Sequence, residues 1–323
     1  MAWQRSSVRA RLAPLNTMAQ DTGRPRFDLQ SHSDRSDGAL APAQVVRLAQ
    51  ASGVELLALS DHDTVSGVPE ALEAARAAGI EVVSAVELSA IDDGHENHDL
   101  HVLGYGFDHR DQELLRALER FRADRGTRAE RMAGALRELG LQIDDELLLA
   151  RTRGGQSIGR PHLALAVLND PRNTERLREE RLGDASQILE AYLLPGQPAY
   201  RGRTRPTVRQ AISAIHAAGG LAVWAHPFWD ISDPEQVLDA IERFVTLGLD
   251  GVEAFYVTHD REQTLLLADA CERLELLSTG SSDFHGPDHR LFSGFRSFSL
   301  HGAVPRLGAI AGALGGPSPR APG

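Results

Sequence analysis

Six short polar clusters carry the residue types that bind divalent metals and activate water. They are Asp28-Leu29-Gln30-Ser31-His32 with Ser36-Asp37-Gly38, Asp61-His62-Asp63, Glu87, the stretch from His98 to His101, His226, and Asp283-Phe284-His285. Neutral imidazole and carboxylate are the donors that suit Zn, Mn or Fe, and several carboxylates permit bridging between ions. Brought together, these side chains would make a multinuclear hydrolytic metal centre. A lone histidine near a strand is usually a core or surface residue. Here it is the ordered joint occurrence of histidines with Asp37, Glu87 and Asp283 that points to metal. His98 precedes His101 by three residues, so on a strand the two face opposite sides, and His98 reads as a loop or supporting residue. Asp28 and Asp61 read as carboxylates that orient ligands. Asp63 reads equally as a cap of the following helix. His95, His109, His216, His289 and His301 read as structural or exposed.

Composition narrows what such a centre can serve. A chain of 323 residues, 42% hydrophobic and 24% charged, can bury a full core as one large domain or as a barrel with an insertion. Disordered and fibrous classes are excluded. The 45 acidic residues outweigh 34 basic ones for a net charge of −11, which argues against capture of long duplex nucleic acid but allows a locally basic pocket. Every basic residue is arginine, so a P-loop lysine, a Schiff-base lysine and a lysine general base are excluded, and phosphate must be held by arginine, backbone amides or metal. The single cysteine, Cys271, forms no intrachain disulfide or cysteine metal cluster, which fits a reducing cytoplasm. No apolar run approaches the roughly 18 residues of a membrane helix, so no membrane partner is expected.

The elements that must position the clusters follow from hydrophobic periodicity. Apolar runs at Val54 to Leu59, Ile80 to Val86, Leu100 to Leu103, Leu221 to Ala225, Val252 to Tyr256 and Leu276 to Thr279 read as buried parallel strands. Just before the first of these runs, Pro42 opens and Gly53 closes an amphipathic helix. This βα alternation predicts an α/β barrel or open sheet, in which strand ends on one face converge on a shared site. From about residue 108 to 200 the pattern becomes purely helical, as at Leu114, Leu118 and Phe121, and predicts an inserted helical subdomain. The expected organisation is a disordered leader over residues 1–25, a barrel over 26–107 and 201–301, the insertion over 108–200, and a flexible tail over 302–323.

Seven motifs in order now carry a resemblance. The run from Asp28 to Gly38, then Leu59-Ser60-Asp61-His62-Asp63-Thr64, Val86-Glu87-Leu88-Ser89, Leu100-His101-Val102-Leu103-Gly104, Gly159-Arg160-Pro161-His162, Ala225-His226-Pro227 and Gly280 to His285 together resemble the polymerase and histidinol phosphatase (PHP) domain family. Within it they look most like the nucleoside 3′,5′-bisphosphate phosphatases and related 5′-end RNA phosphoesterases. The resemblance implies a distorted (β/α)7 barrel holding two or three divalent ions (Mn, Zn, Fe or Mg). It further implies His32, Glu87 and Asp283 at one ion, Asp37, His62 and His285 at a second, and Glu87, His101 and His226 at a third. Glu87 and Asp283 would hold the attacking hydroxide. The family pattern has His-x-His on the first strand, whereas this chain has Gln30 in place of the first histidine. An amide oxygen is a neutral, weaker ligand, so the first ion is expected to bind less tightly.

The implied activity is hydrolysis of a phosphate monoester of a nucleotide, most specifically the 3′-phosphate of a nucleoside 3′,5′-bisphosphate. Trimming of short oligonucleotides from the 5′ end and hydrolysis of a histidinol-phosphate-type ester are the alternatives within the class. A barrel that binds nucleotide or metal without turnover, blunted by Gln30, is the alternative outside it. Arg160 is expected to bind the substrate phosphate, since a guanidinium matches phosphate oxygens bidentately, with His162 helping to position it. His259 reads either as a contact to the substrate or leaving oxygen or as a surface loop residue. Arg201, Arg203 and Arg205 read as a solvated turn before a phosphate funnel. Phe228 and Trp229 read as packing before base stacking.

Overall fold

The computed structural model describes residues 25–92, 98–153, 158–202 and 206–314. Its elements run β1 (Phe27–Asp28), α1 (Pro42–Ala51), β2 (Leu56–Leu59), α2 (Val68–Ala78), β3 (Glu81–Asp92), β4 (His98–Tyr105), α3 (Gln112–Glu138), α4 (Asp145–Arg153), α5 (Arg160–Asn169), α6 (Thr174–Glu180) and α7 (Ala185–Ile188). The chain then returns through α8 (Val208–Ala217), β5 (Leu221–Trp224), α9 (Pro227–Asp230), α10 (Pro234–Leu247), β6 (Gly251–Tyr256), α11 (Arg261–Arg273) and β7 (Leu277–Ser281).

Among the described residues the seven strands form one sheet in sequence order, and its two edges meet. Leu29 N donates to Gly280 O at 3.1 Å and His32 N to Phe284 O at 2.8 Å, so the end of β1 runs along β7 and the sheet curls into a nearly closed barrel. A closed sheet satisfies its own edges and turns the strand ends into a ring. Inside lies one apolar core, with Leu56, Leu88, Leu103, Trp224 and Phe255 essentially inaccessible. The fold class expected from the alternation is therefore the one observed.

Strand direction departs from expectation at one place. β4 pairs antiparallel with both β3 and β5, whereas the other pairs are parallel. β3 is also longer than its apolar run suggested, reaching Asp92, and β4 begins at His98. His98 thus takes a strand position opposite Asp92 and is not in a loop. The register sets Ser89 opposite His101 and Glu87 opposite Leu103, which puts Glu87 and His101 on one face of the hairpin.

The helical run forms a second core over the strand ends. Met132, Leu136, Leu163, Val167 and Leu193 pack together there. α3 belongs to both cores, since Leu114, Leu118 and Phe121 join the barrel cluster while Ala129, Met132 and Leu136 join the helical one. Asp111 caps it, accepting Leu114 N at 2.8 Å.

The tail expected to fray from Gly302 is instead packed as far as Ala311. Ser278 N donates to Arg306 O at 3.0 Å, Arg306 N donates to Ser278 Oγ at 2.9 Å, and Leu307 and Ile310 are buried in the barrel core. This segment is held by that bridge, by Arg306 Nε donating to Leu276 O at 3.1 Å and by its apolar anchors, and it ends in a 3-10 helix over Gly308–Leu314. The expected leader, apart from Pro25, and the tail after Leu314 lie outside the described residues, as do His95, Arg203 and Arg205.

Candidate metal centre

The expected ligands, Gln30 included, converge on one site, and Glu87, within β3, is its hub. Its Oε2 lies 3.0 Å from His32 Nε2 and 3.6 Å from His62 Nδ1. Its Oε1 lies 2.5 Å from His101 Nδ1 and 3.3 Å from His226 Nε2. Three groups of donor atoms are close enough to hold an ion: His32, Glu87 and Asp283; His32, Asp37, His62 and His285; and His62, Glu87 and His101. The expected partner of Glu87 and His101, His226, stands beside that third group, its Nε2 3.3 Å from His101 Nδ1. The imidazoles pack in a chain, with ring centroids 4.3 Å apart for His32 and His285, 4.7 Å for His32 and His62, and 4.9 Å for His62 and His101.

These residues fit divalent cations on the state of their lone pairs. His32 Nε2, His62 Nδ1, Asp37 Oδ1 and Asp283 Oδ1 are buried and make no hydrogen bond. Buried polar atoms without partners are costly, and a cation shared among imidazole and carboxylate donors relieves that cost. Among the groups themselves, charge partly compensates burial. Burial pushes Asp37 up, but the charges of His62, His285 and His32 outweigh it and hold the carboxyl well below its usual range. Glu87 is likewise held low against burial by His62 and His101. Burial drives His62 down to about 3 against the pull of Glu87 and Asp37, while His226 is pushed up to about 10 because its contact with Glu87 overcomes burial. A bound cation competes for these same lone pairs, so metal loading and proton release are coupled.

Gln30 lies beside the hub carboxylate and bonds on both sides. Its Nε2 donates to Glu87 Oε2 at 3.0 Å, and its Oε1 accepts from Ser281 Oγ at 3.3 Å. A carboxylate only accepts, so the amide must present its nitrogen to Glu87 and its oxygen to the hydroxyl. Gln30 therefore orients Glu87.

Carboxylates behind the ligands hold their loops. Asp61 accepts Ser33 N and Ser33 Oγ, both at 2.7 Å, and Ser36 Oγ at 2.6 Å, which fixes the turn that carries His32 and Asp37. That turn is tight enough that a Cβ at Gly38 would lie 2.3 Å from His32 O, so only glycine fits. Asp28 accepts Ser282 N and Arg296 N, each at 2.8 Å, and so supports the loop of Asp283; burial raises its carboxyl to about 7. Asp63 neither caps α2, whose N-cap is Gly67, nor enters a donor group; it accepts Ser89 N at 3.1 Å and pairs with Arg125 at 2.9 Å. Its φ of 54°, with 29° at His226 and 51° at Asp283, places three non-glycine residues in the left-handed region at strand ends. Such strain persists where surrounding bonds over-determine it.

Sequence reasoning missed four groups. Glu253 is fully buried, accepts His226 N at 2.9 Å and Ser281 Oγ at 2.6 Å, and is raised by burial to about 8. Tyr256 donates its hydroxyl to Asp283 Oδ2 at 2.8 Å. Arg125 reaches down from α3 to Asp63, and His289 stacks on Phe292 with centroids 4.9 Å apart at the cavity edge. A carboxylate inside the apolar run from Val252 to Tyr256, and an arginine one helical turn after Phe121 on the buried stripe of α3, were the legible signals for two of them.

Above the ligands the helical layer and barrel enclose a cavity of about 480 Å3, lined by Asp37, His62, Glu87, Arg160, His162 and Trp229 among others. Arg160 opens α5 and is a quarter exposed, with Asp99 4.0 Å away. His162 Nδ1 accepts from Gly159 N at 2.9 Å, and burial lowers the imidazole to about 4. It is thus neutral near pH 7 with its proton on Nε2, a donor. His259 does not line this cavity: its Nδ1 faces Ala254 O at 3.2 Å and its ring packs between Phe228 and Tyr256. Arg201 donates to Pro198 O and Tyr200 O, consistent with a turn. Among the described residues no helix is long and apolar enough to cross a membrane.

Comparison with known proteins accounts for this arrangement. The PHP domain family model matches residues 28–191. A 5′-3′ exoribonuclease of Haemophilus influenzae is 31% identical over 262 residues, 81% of this chain and 90% of that protein. A 3′,5′-nucleoside bisphosphate phosphatase of Chromobacterium violaceum is 30% identical over 261 residues, 81% of this chain and 87% of that protein. Among solved structures, an amidohydrolase of Chromobacterium violaceum with bound sulfate superposes with a TM-score of 0.72 at 30% identity, covering 83% of this chain and 90% of that one. A metal-dependent phosphoesterase of Bifidobacterium adolescentis gives 0.67 at 29% identity, covering 82% and 89%. The converging histidines and carboxylates are those of a metal-dependent hydrolase of phosphoric esters, and the chain belongs to the PHP domain family.

Proposed function

We propose that the chain removes the 3′-phosphate of a nucleoside 3′,5′-bisphosphate, releasing the 5′-monophosphate and inorganic phosphate. One observation carries the reading. The three donor groups, two of which share Glu87, open into a cavity of about 480 Å3, a size suited to one small molecule. Arg160 and His162 line the same cavity.

In this reading, divalent ions bound by His32, Asp37, His62, Glu87, His101, His226, Asp283 and His285 supply Lewis acidity to the phosphoryl group and acidify water. The chain's own groups do the rest. Arg160 holds phosphate oxygens, and no lysine exists to share that task. His162 donates its Nε2 proton to a substrate oxygen. Gln30 and Tyr256 fix the faces that Glu87 and Asp283 present. Residues 108–200 act as the helical cover that keeps long duplexes from the site, and the reaction takes place in the cytoplasm.

The test is phosphate release from adenosine 3′,5′-bisphosphate by chelated protein reloaded with Mn, Mg, Zn or Fe, beside His226→Ala. Metal-dependent release that is lost in the variant supports the proposal. Stepwise shortening of a short RNA with no release from the bisphosphate would replace it by the exoribonuclease reading. Silence on both by folded protein would leave a non-catalytic binding protein.

A further inference from the structure

The inner end of the cavity is charged, whereas its rim is aromatic. Trp229 is one turn past His226: its backbone N–H donates to His226 O at 2.8 Å, which ties the indole's position to that of a histidine beside the donor groups. The indole lies 6.5 Å from the His226 ring, 6.5 Å from Tyr256 and 5.7 Å from Phe292. Phe292 in turn stacks on His289 and lies 6.2 Å from Tyr256, whose hydroxyl is bonded to Asp283. The backing rings are buried and fixed, yet Trp229 is 50% exposed and lines the cavity.

The adjacent aromatic behaves differently. Phe228 turns away, its ring 5.6 Å from His259, and packs on the barrel core. The two neighbours therefore separate into one packing residue and one that presents apolar surface to the cavity beside the reacting centre. Asp230, next in sequence, lies 3.9 Å from His226 Nδ1 and is partly buried.

We propose that Trp229, backed by Phe292 and Tyr256, is the platform on which the planar base of the substrate stacks. The site then selects phosphate esters that carry a heteroaromatic ring over esters of a bare sugar, with little distinction between bases, because every base offers a π-face. This deepens the nucleotide reading above and rests on it for the position of the phosphate.

Binding of 5′-AMP and of ribose 5-phosphate to the full-length, chelated protein tests it, read by calorimetry in wild type, Trp229→Ala, Trp229→Leu and Trp229→Phe. The wild-type preference for 5′-AMP falls about 5- to 150-fold in Trp229→Ala and Trp229→Leu, the range expected for loss of one base–aromatic stack, and Trp229→Phe keeps most of it. The proposal is overturned where the preference is unchanged in Trp229→Ala, or where Trp229→Leu binds as Trp229→Phe does, since that result needs only apolar area. The outcome is separable from turnover. Protein that binds in this pattern but releases no phosphate refutes the proposed reaction and keeps the platform; protein that turns over with no such preference refutes the platform alone.

Discussion

Replacing Gln30 by leucine and by histidine separates an orienting amide from a metal ligand. In the structure Gln30 contributes two buried hydrogen bonds, to Glu87 and from Ser281. Leucine removes both. Glu87 Oε2 keeps His32 at 3.0 Å and Ser281 keeps Glu253 at 2.6 Å, so neither partner is fully orphaned. At about 1 kcal/mol for each lost bond, Gln30→Leu lowers the stability of the chelated protein by about 2 kcal/mol, or about 3 °C in Tm for a chain of this size. Histidine restores an imidazole beside the group of His32, Glu87 and Asp283, and is expected to tighten the metal bound there by at least about tenfold. Differential scanning fluorimetry with and without EDTA, together with metal content after dialysis against limiting Mn, reads both effects. An unchanged Tm of chelated Gln30→Leu, with only the metal-induced rise in Tm diminished, would show that the amide oxygen is a ligand and refute the reasoning.

Two further perturbations address the support of the site. Arg125 and Asp63 form a buried pair, so Arg125→Met strands a buried carboxylate and is expected to cost about 3 to 5 kcal/mol in urea denaturation, while adding Asp63→Asn restores more than half; equal losses in the single and double variants would deny the coupling. His162 has its folded pKa lowered by burial to about 4 from an ordinary 6.5, so the unfolded chain takes up its proton first as pH falls. Its contribution to stability is therefore intact above about pH 6.5 and is lost towards pH 4, by about 3 kcal/mol; a His162→Gln variant whose stability falls with pH as steeply as wild type would contradict this.

The sequence made the ligands legible because imidazoles and carboxylates stood where apolar strands ended, and a strand end in a barrel has one destination. Strand direction was harder. The apolar runs ending at Val86 and starting at Leu100 left thirteen residues between them, ample for a helical crossover to a parallel strand. Only with β3 extended to Asp92 and β4 started at His98 does the gap shrink to five residues, which forces a hairpin. Those added residues interleave Glu87, Ser89, Asp92, His98 and Asp99 with Leu88, Ala90 and Ile91, so a search for continuous apolar runs passed over them. Among the supporting acids, Asp28 and Asp61 were read as such from the sequence, whereas Asp63 and Glu253 were not. Asp28, Asp61, Asp63 and Glu253 are of the same residue types as Asp37, Glu87 and Asp283, yet each accepts a backbone N–H from a ligand-bearing loop or strand, and none enters a donor group. Whether a carboxylate at a strand end binds metal or clamps backbone depends on which neighbouring loop brings an unpaired N–H to it. That is a property of chain crossings far apart in sequence, as Ser282 meeting Asp28 shows. Gln30 obeys the same rule from the other side: as an amide between an acceptor-only carboxylate and a hydroxyl, its orientation was decided by Glu87 and Ser281, residues 57 and 251 positions away.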